Sequence, residues 1–414
     1  MKYGCIGEHL GHSFSKEIHK CIAEYSYELC EVARDSLQDF LAEKKFCGIN
    51  VTIPYKTDVI PYLDEIDDAA REIGAVNTVV NRKGCLCGYN TDAYGLRALI
   101  EHIGVSLKDR KVAVLGSGGT SKTAVVVAKS LGAREILVVS RSQGNHTVSY
   151  EALLREHADV EYLINTTPCG MYPHGDSIAV DPSVFPQLLG VADAVYNPLQ
   201  TRLVLAARKK GIPAEGGLYM LVAQAVRASE IFLDTQYPID LTEKTYRKIL
   251  REKQNVVLVG MPGCGKSTVG RELAETMGRE LIDMDAAIVA RVGKSIPEIF
   301  SEDGEAVFRD LETAVLREDL RYRNGCILAT GGGAILRDEN VALLRQNGRL
   351  YFLDRPLKDL LPTEDRPLAS SAEAIQKRYA ERYDRYLAIA DRQIAVEGDA
   401  ASVALAIRKD FEET

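Results

Sequence analysis

The chain has 414 residues, 46% hydrophobic and 27% charged, which suits a globular protein of two or three domains and excludes a disordered or fibrous chain. Lys plus Arg is 51 against 59 Asp plus Glu, a net charge of −8, and cutting after Leu250 leaves neither part basic. A nucleic-acid or anionic-membrane protein is therefore not expected, and an anionic ligand must be held by a few placed cations and backbone amides.

No apolar run approaches the ~18 residues of a membrane span. The opening MKYGCIGEHL lacks the apolar stretch and cleavage site of a signal peptide. Nine cysteines are scattered, and Cys85-Leu86-Cys87 lacks the second pair or nearby histidines of a zinc motif, so free thiols are expected. These features point to a reduced, cytoplasmic protein.

Short β-branched runs alternate with helical stretches throughout, the pattern of α/β folds with parallel sheets. The first block, residues 1–104, has strand-like pieces at Lys2–Ile6, Gly48–Ile53 and Ala75–Asn81. Its polar residues suit a small hydroxylated acid. Ser13 and Ser15 share a face if His12–Ser15 is extended, and Asn50 and Thr52 share a face of a strand that ends at Pro54 and Lys56. Asn77-Thr78 and Asn90-Thr91-Asp92 follow. Reducing a ketone by hydride transfer builds negative charge on oxygen and needs a proton donor in reach. Lys56, oriented by Asp92, is the natural pair, although each residue alone reads as an exposed lysine and a helix-capping aspartate.

The second block, residues 105–230, starts with a strand at Lys111–Leu115 that runs into Gly116-Ser117-Gly118-Gly119-Thr120-Ser121 and a helix, as a dinucleotide-binding turn should. Strands follow at Glu135–Ser140, Glu161–Asn165 and Ala192–Val195. The second strand ends in Ser140-Arg141-Ser142, where an NAD site usually places an acid for the ribose hydroxyls. A guanidinium flanked by hydroxyls favours the 2′-phosphate of NADP instead. Residues 231–250 return to the first block, with a helix over Leu241–Leu250, and the major boundary falls at residues 251–254.

The third block, residues 255–414, opens with a strand at Asn255–Val259 and then GMPGCGKST, Gly260 to Thr268. This is a P-loop, with a helix expected over Thr268–Met277. Gly263, Cys264, Gly265 and Thr268 lie in the phosphate cradle, Lys266 reaches the β and γ phosphates of ATP, and Ser267 ligates Mg²⁺. Asp283 and Asp285, at an expected strand end, divide between magnesium and an acceptor hydroxyl. Gly331-Gly332-Gly333 after an apolar strand suggests close backbone approach to a ligand. Arg366, in Asp365-Arg366-Pro367-Leu368, is placed to close over the transferring phosphoryl group.

The third block resembles shikimate kinase. The P-loop, the Asp283-x-Asp285 pair, Gly304-Glu-x-x-Phe-Arg309-x-x-Glu312, the triple glycine and Arg366-Pro-Leu stand in the family's order. The resemblance implies that Asp285, Arg309, Gly332 and Arg382 hold shikimate, Asp285 orienting its 3-hydroxyl, and that Asp283 supports magnesium. The family's R-x-P-L-Y appears as Arg382-Tyr-Asp-Arg-Tyr386, and Pro362-Thr363 stands where an adenine-stacking arginine is expected. Arg385 is a substitute for either arginine.

Residues 1–250 resemble shikimate dehydrogenase through S-x-S, N-V-T-x-P-x-K, A-x-N-T, N-T-D and G-x-G-G-x-S, in order. The segments at Asn165–Gly170, Asp193–Pro198 and Gly217–Gln224 continue the match. This implies shikimate contacts from Ser13, Ser15, Thr52, Lys56, Asn77, Asp92, Tyr196 and Gln224. It implies NADP contacts from Gly116, Ser117, Gly118, Gly119, Ser140, Arg141 and Ser142, with Gly217 beside the nicotinamide. Lys16 replaces a proline and Asn145 replaces a second 2′-phosphate arginine.

The expected architecture is an α/β substrate domain (1–104 plus 231–250), a Rossmann NADP domain (105–230) and a P-loop α/β kinase domain (255–414). The expected function is NADPH-dependent reduction of 3-dehydroshikimate to shikimate, then phosphorylation to shikimate 3-phosphate with ATP and Mg²⁺. Its expected partners are small molecules, with neither nucleic acid nor membrane. Two rivals are an NAD-dependent quinate or shikimate dehydrogenase fused to the kinase, and a chain with one half inactive as a regulatory module. The lack of an acid at Arg141 opposes the first. Intact Lys56, Asp92, Lys266, Ser267 and Asp285 oppose the second.

Overall fold

Runs of valine, isoleucine and leucine become the strands of three sheets, distributed over two units, Met1–Ile249 and Leu250–Thr414. The computed structural model describes residues 1–11, 13–142, 144, 146–360 and 371–413. His12, Asn145 and the segment carrying Pro362, Thr363 and Arg366 lie outside the described residues.

The first sheet is built from β1 (Tyr3–Gly7), β2 (Tyr27–Glu31), β3 (Gly48–Val51), β4 (Glu65–Ile66), β5 (Thr78–Arg82) and β6 (Cys85–Tyr89), in the order β2-β1-β3-β5-β6-β4. β1 runs parallel to both neighbours, while β5 is antiparallel to β3 and β6. Lys83 (φ 55°) and Gly84 (φ 95°) join β5 to β6. Two successive left-handed residues make the tight turn whose twist matches paired strands.

The second sheet, parallel throughout, contains β7 (Lys111–Leu115), β8 (Glu135–Val139), β9 (Tyr162–Asn165), β10 (Gly190–Asp193) and β11 (Ala214–Glu215), ordered β11-β10-β9-β7-β8. From β7 the chain moves to β8 on one side, then crosses to β9 on the other. Such a reversal opens a crevice at the carboxyl ends of β7 and β9, where doubly wound sheets bind nucleotides.

In the second unit, β12 (Asn255–Val259), β13 (Leu281–Asp283), β14 (Ile327–Ala329), β15 (Gly348–Asp354) and β16 (Arg392–Ala395) form a parallel sheet ordered β13-β14-β12-β15-β16. All of β12 is buried, as a central strand covered on both faces requires. Its P-loop therefore emerges from the middle of the sheet. No helix among the described residues is long and apolar enough to cross a membrane.

Two local expectations are corrected. Phe14 is helical (φ −80°, ψ −1°) and Ser15 opens the helix Ser15–Ile22, so Ser13 and Ser15 are not extended. β13 ends at Asp283, and Asp285 lies in the first turn of the helix Met284–Val292. Asp283 caps that helix, accepting from the N–H groups of Asp285 and Ala286, because a carboxylate satisfies orphan donors at a helix start.

Asp193, at the end of β10, is fully buried and accepts from Asn165 Nδ2 (2.9 Å), Val195 N–H (3.0 Å) and Thr201 Oγ (2.6 Å). Burial outweighs these donors and pushes the acid up to about 6. A raised acid binds its proton more tightly in the folded state, so its contribution is most favourable at low pH and is lost as pH rises through about 6. Asp193→Asn keeps the acceptor oxygen and lets the Thr201 hydroxyl accept in turn. Relative to the parent, the variant is expected to gain about 1–2 kcal/mol between pH 5 and pH 8 in urea unfolding. A pH-independent difference would contradict this account.

Candidate active sites

In the first unit, a cavity of about 510 Å³ lies between the loops after β1 and β3 and the carboxyl ends of β9 and β10. Ser13, Ser15, Thr52, Lys56, Asn77, Asp92, Tyr196, Gly217 and Gln224 all line it, so segments spread over the sequence converge there. Lys56 Nζ donates to Asp92 Oδ2 at 2.6 Å, and Asn77 Nδ2 donates to Asp92 Oδ1 at 2.9 Å. Both carboxylate oxygens are thus engaged, which fixes the plane of the acid and the position of the ammonium. Asn90, rather than Asp92, caps the helix Thr91–Ile103, leaving Asp92 free of the capping role.

The amide of Asn77 is itself held. Its Oδ1 accepts from Thr91 N–H (2.7 Å) and Thr78 Oγ (3.1 Å), and Thr91 Oγ donates to Gln224 Oε1 (3.2 Å). Ser13 Oγ donates to Ser15 Oγ at 3.0 Å, presenting two linked hydroxyls at a helix start. Tyr196 rests against Phe14, and burial raises its hydroxyl, so it remains a donor at neutral pH. Tyr27, which the sequence did not single out, donates to Asn50 Oδ1 at 2.7 Å and stacks on His19. Burial lowers His19 to about 3, so that ring stays neutral.

The dinucleotide turn lies at the carboxyl end of β7. Gly116 has φ 109°, and a Cβ there would meet Thr166 Oγ1 at 2.8 Å, so glycine is required on both counts. Nothing lies within 4 Å of a Cβ placed on Gly118 or Gly119, at the start of the helix Gly119–Ser130. That open cradle of N–H groups fits a pyrophosphate. Ser117 Oγ and Ser140 Oγ are 3.0 Å apart, tying the glycine turn to the end of β8. Arg141 and Ser142 are exposed beside them, as an adenosine 2′-phosphate site needs. Gly217 is packed so closely on the Ala194 carbonyl that no side chain fits.

In the second unit, Gly260, Gly263 and Gly265 all have positive φ, which curls the P-loop around its own amides. Lys266 is buried and donates to the carbonyls of Gly260 (2.9 Å) and Met261 (3.0 Å), held within the loop. Ser267 Oγ donates to Asp283 Oδ2 at 2.6 Å. A hydroxyl and a carboxylate this close beside a phosphate loop fit Mg²⁺, with Asp283 acting directly or through water. Arg309 pairs with Glu312 at 2.6 Å and Glu305 at 2.9 Å. Burial raises the Glu312 carboxyl although the Arg309 guanidinium opposes it.

The triple glycine serves this cluster. A Cβ on Gly331 would meet Glu312 Oε1 at 2.7 Å and Asp285 Oδ1 at 2.9 Å, and one on Gly333 would collide with the Arg309 guanidinium. Close approach is thus made to charged side chains that border the site. Arg382, buried, donates to the Gly332 carbonyl at 3.2 Å, so Arg309, Arg382, Asp285 and Gly332 are brought together. Arg385 instead donates to the Ile335 carbonyl and pairs with Asp338. Glu312 was not among the expected site residues, although its i,i+3 spacing from Arg309 signals the pair.

The shikimate dehydrogenase (NADP(+)) of Clostridium beijerinckii is 37% identical over 261 residues, covering 59% of this chain and 96% of its own length. The chain belongs to the shikimate dehydrogenase family. The model of the shikimate dehydrogenase substrate binding domain matches residues 5–79, and the shikimate kinase model matches residues 262–412. The protein is therefore a dehydrogenase–kinase fusion of the shikimate pathway, an oxidoreductase and a phosphotransferase whose cofactors are NADP(H), ATP and Mg²⁺.

Solved structures agree with the dehydrogenase assignment. A chorismate mutase/shikimate 5-dehydrogenase fusion protein from Clostridium acetobutylicum is 36% identical (TM-score 0.57), covering 60% of this chain and 96% of that one. A Thermus thermophilus shikimate 5-dehydrogenase in complex with NADP(H) and shikimate is 28% identical (TM-score 0.54), covering 60% and 99%.

Proposed function

We propose that the first unit reduces 3-dehydroshikimate to shikimate with NADPH and that the second transfers the γ-phosphoryl group of ATP to the shikimate 3-hydroxyl. The observation that carries the first half is the Lys56–Asp92 pair, held at 2.6 Å inside a cavity lined by hydroxyls and amides. The nicotinamide supplies the hydride. Lys56 gives a proton to the oxygen on which charge develops, while Asp92 and Asn77 keep its ammonium aimed. Ser13, Ser15, Thr52, Tyr196 and Gln224 hold the carboxylate and hydroxyls of the substrate.

In the second unit, Lys266 leaves its loop carbonyls for phosphate oxygens, and Ser267 and Asp283 hold magnesium, which neutralises phosphate charge. Asp285 accepts a hydrogen bond from the attacking hydroxyl and orients it. Arg309, kept straight by Glu312, and Arg382 bind the substrate carboxylate. Purified protein is expected to oxidise NADPH only when 3-dehydroshikimate is added and to form ADP only when shikimate is added. NADPH oxidation driven equally by unrelated ketoacids would refute the substrate assignment.

Arg141 is the cation placed for the 2′-phosphate, with Ser140 and Ser142 beside it. A charged hydrogen bond is worth about 1.5–3 kcal/mol. Arg141→Ala is thus expected to raise the KM for NADPH about 10–100-fold and leave that for NADH unchanged. Equal use of both cofactors by the parent would exclude this role and favour the NAD-dependent reading.

A further inference from the structure

We propose that Glu65, Cys85 and Cys87 form a zinc-type cation site on the rim of the first unit's six-stranded sheet. Cys85 and Cys87 are two residues apart on β6, so both side chains leave the same face. β4 is the neighbouring strand, and Glu65 stands directly opposite Cys87 in its register. Three potential ligands from two strands are thereby brought to one point, their donor atoms mutually within 4.8 Å.

Two of the three ligand spacings match those of a tetrahedral site, and the third, between Cys85 and Glu65, is within 4.8 Å. Zn–S bonds of about 2.3 Å and Zn–O bonds of about 2.0–2.2 Å place two tetrahedral sulfurs about 3.8 Å apart, and a sulfur and an oxygen about 3.5–3.7 Å apart. The Cys85 and Cys87 Sγ atoms are 3.8 Å apart, and Cys87 Sγ lies 3.7 Å from Glu65 Oε2. A disulfide is the less favourable pairing, because residues two apart on an extended strand sit near the upper limit of Cα separation for one. Cys87 is buried, Cys85 half-buried and Glu65 exposed, which leaves an entry path and a fourth position for water.

Two thiolates and a carboxylate select zinc or cadmium over magnesium, so this site and the P-loop would not compete for the same ion. None of the three residues lines the catalytic cavity. The ion would clip β4, only two residues long, onto the edge of the sheet.

The test uses the full chain, reduced with a phosphine, stripped with chelator and titrated with Zn²⁺ against a chromophoric chelator. One tight equivalent is expected, absent from Cys85→Ser/Cys87→Ser. Glu65→Gln is expected to weaken binding at least about tenfold, the lower end of what losing even an outer partner costs. Cd²⁺ should give an ultraviolet thiolate-to-metal band in the parent and in Glu65→Gln but not in the double variant. Should the double variant fail to fold, the Glu65→Gln affinity and the parent's Cd²⁺ band remain as tests. A parent that binds no tight zinc, or a folded double variant that binds as the parent does, would overturn the proposal.

Discussion

Lys56→Ala is expected to slow ketone reduction at least ~100-fold, because a positioned proton donor contributes about 10² to 10⁴. Lys56 has its ammonium on Asp92, and Asp92 is braced in turn by Asn77. Removing the donor leaves the substrate hydroxyl and carboxylate contacts in place, so the loss should fall on kcat more than on KM. Kinase activity should be unchanged, since Lys56 and the P-loop belong to different units. Asp92→Asn retains an acceptor for the ammonium and should be impaired less than Lys56→Ala. A Lys56→Ala protein that reduces 3-dehydroshikimate at a near-parental rate would remove the central acid from this site.

The second large effect is expected at the P-loop. Lys266→Ala should lower phosphoryl transfer at least ~100-fold, as removal of one preorganised charge-stabilising donor costs about 10²–10³. Lys266 is buried and bonded to the Gly260 and Met261 carbonyls, so the loop could relax in its absence. Lys266→Arg controls for this. It keeps the charge but enlarges the head group, and it too should be slow, while dehydrogenase activity remains parental in both variants. Chelating Mg²⁺ should abolish the kinase reaction and spare the reductase, because the Ser267–Asp283 pair lies in the second unit alone. Kinase turnover that survives Lys266→Ala would show that phosphate charge is met elsewhere.

Features set by local rules were legible in the sequence. The P-loop follows from glycine spacing between a strand and a helix, and positive φ at Gly260, Gly263 and Gly265 is the physical reason for those glycines. The β7 strand, Lys111–Leu115, falls where the apolar run Val112–Leu115 places it. Features set by long-range pairing were not. β2 has one buried residue in five, so no alternation marks it, and Tyr27 on that strand went unread together with its bond to Asn50. β6 was hidden because its cysteines and glycine weaken the strand signal, and its partner Glu65 belongs to a two-residue strand no periodicity could reveal. Spacing gave Asp283 and Asp285 as a matched pair, yet the helix starts between them and gives them different surroundings. The triple glycine leaves room for Glu312, Asp285 and Arg309, side chains distant in sequence that no local spacing could assign to it.

The most direct test of the account supplies 3-dehydroshikimate, NADPH, ATP and Mg²⁺ to the intact protein and follows the products by mass spectrometry. Shikimate should form with NADPH loss, and shikimate 3-phosphate should follow with an equal yield of ADP. Lys56→Ala should block both products, and Lys266→Ala should accumulate shikimate alone. Phosphorylated product appearing without NADPH, or shikimate that accumulates unphosphorylated in the parent, would contradict two consecutive reactions on one chain.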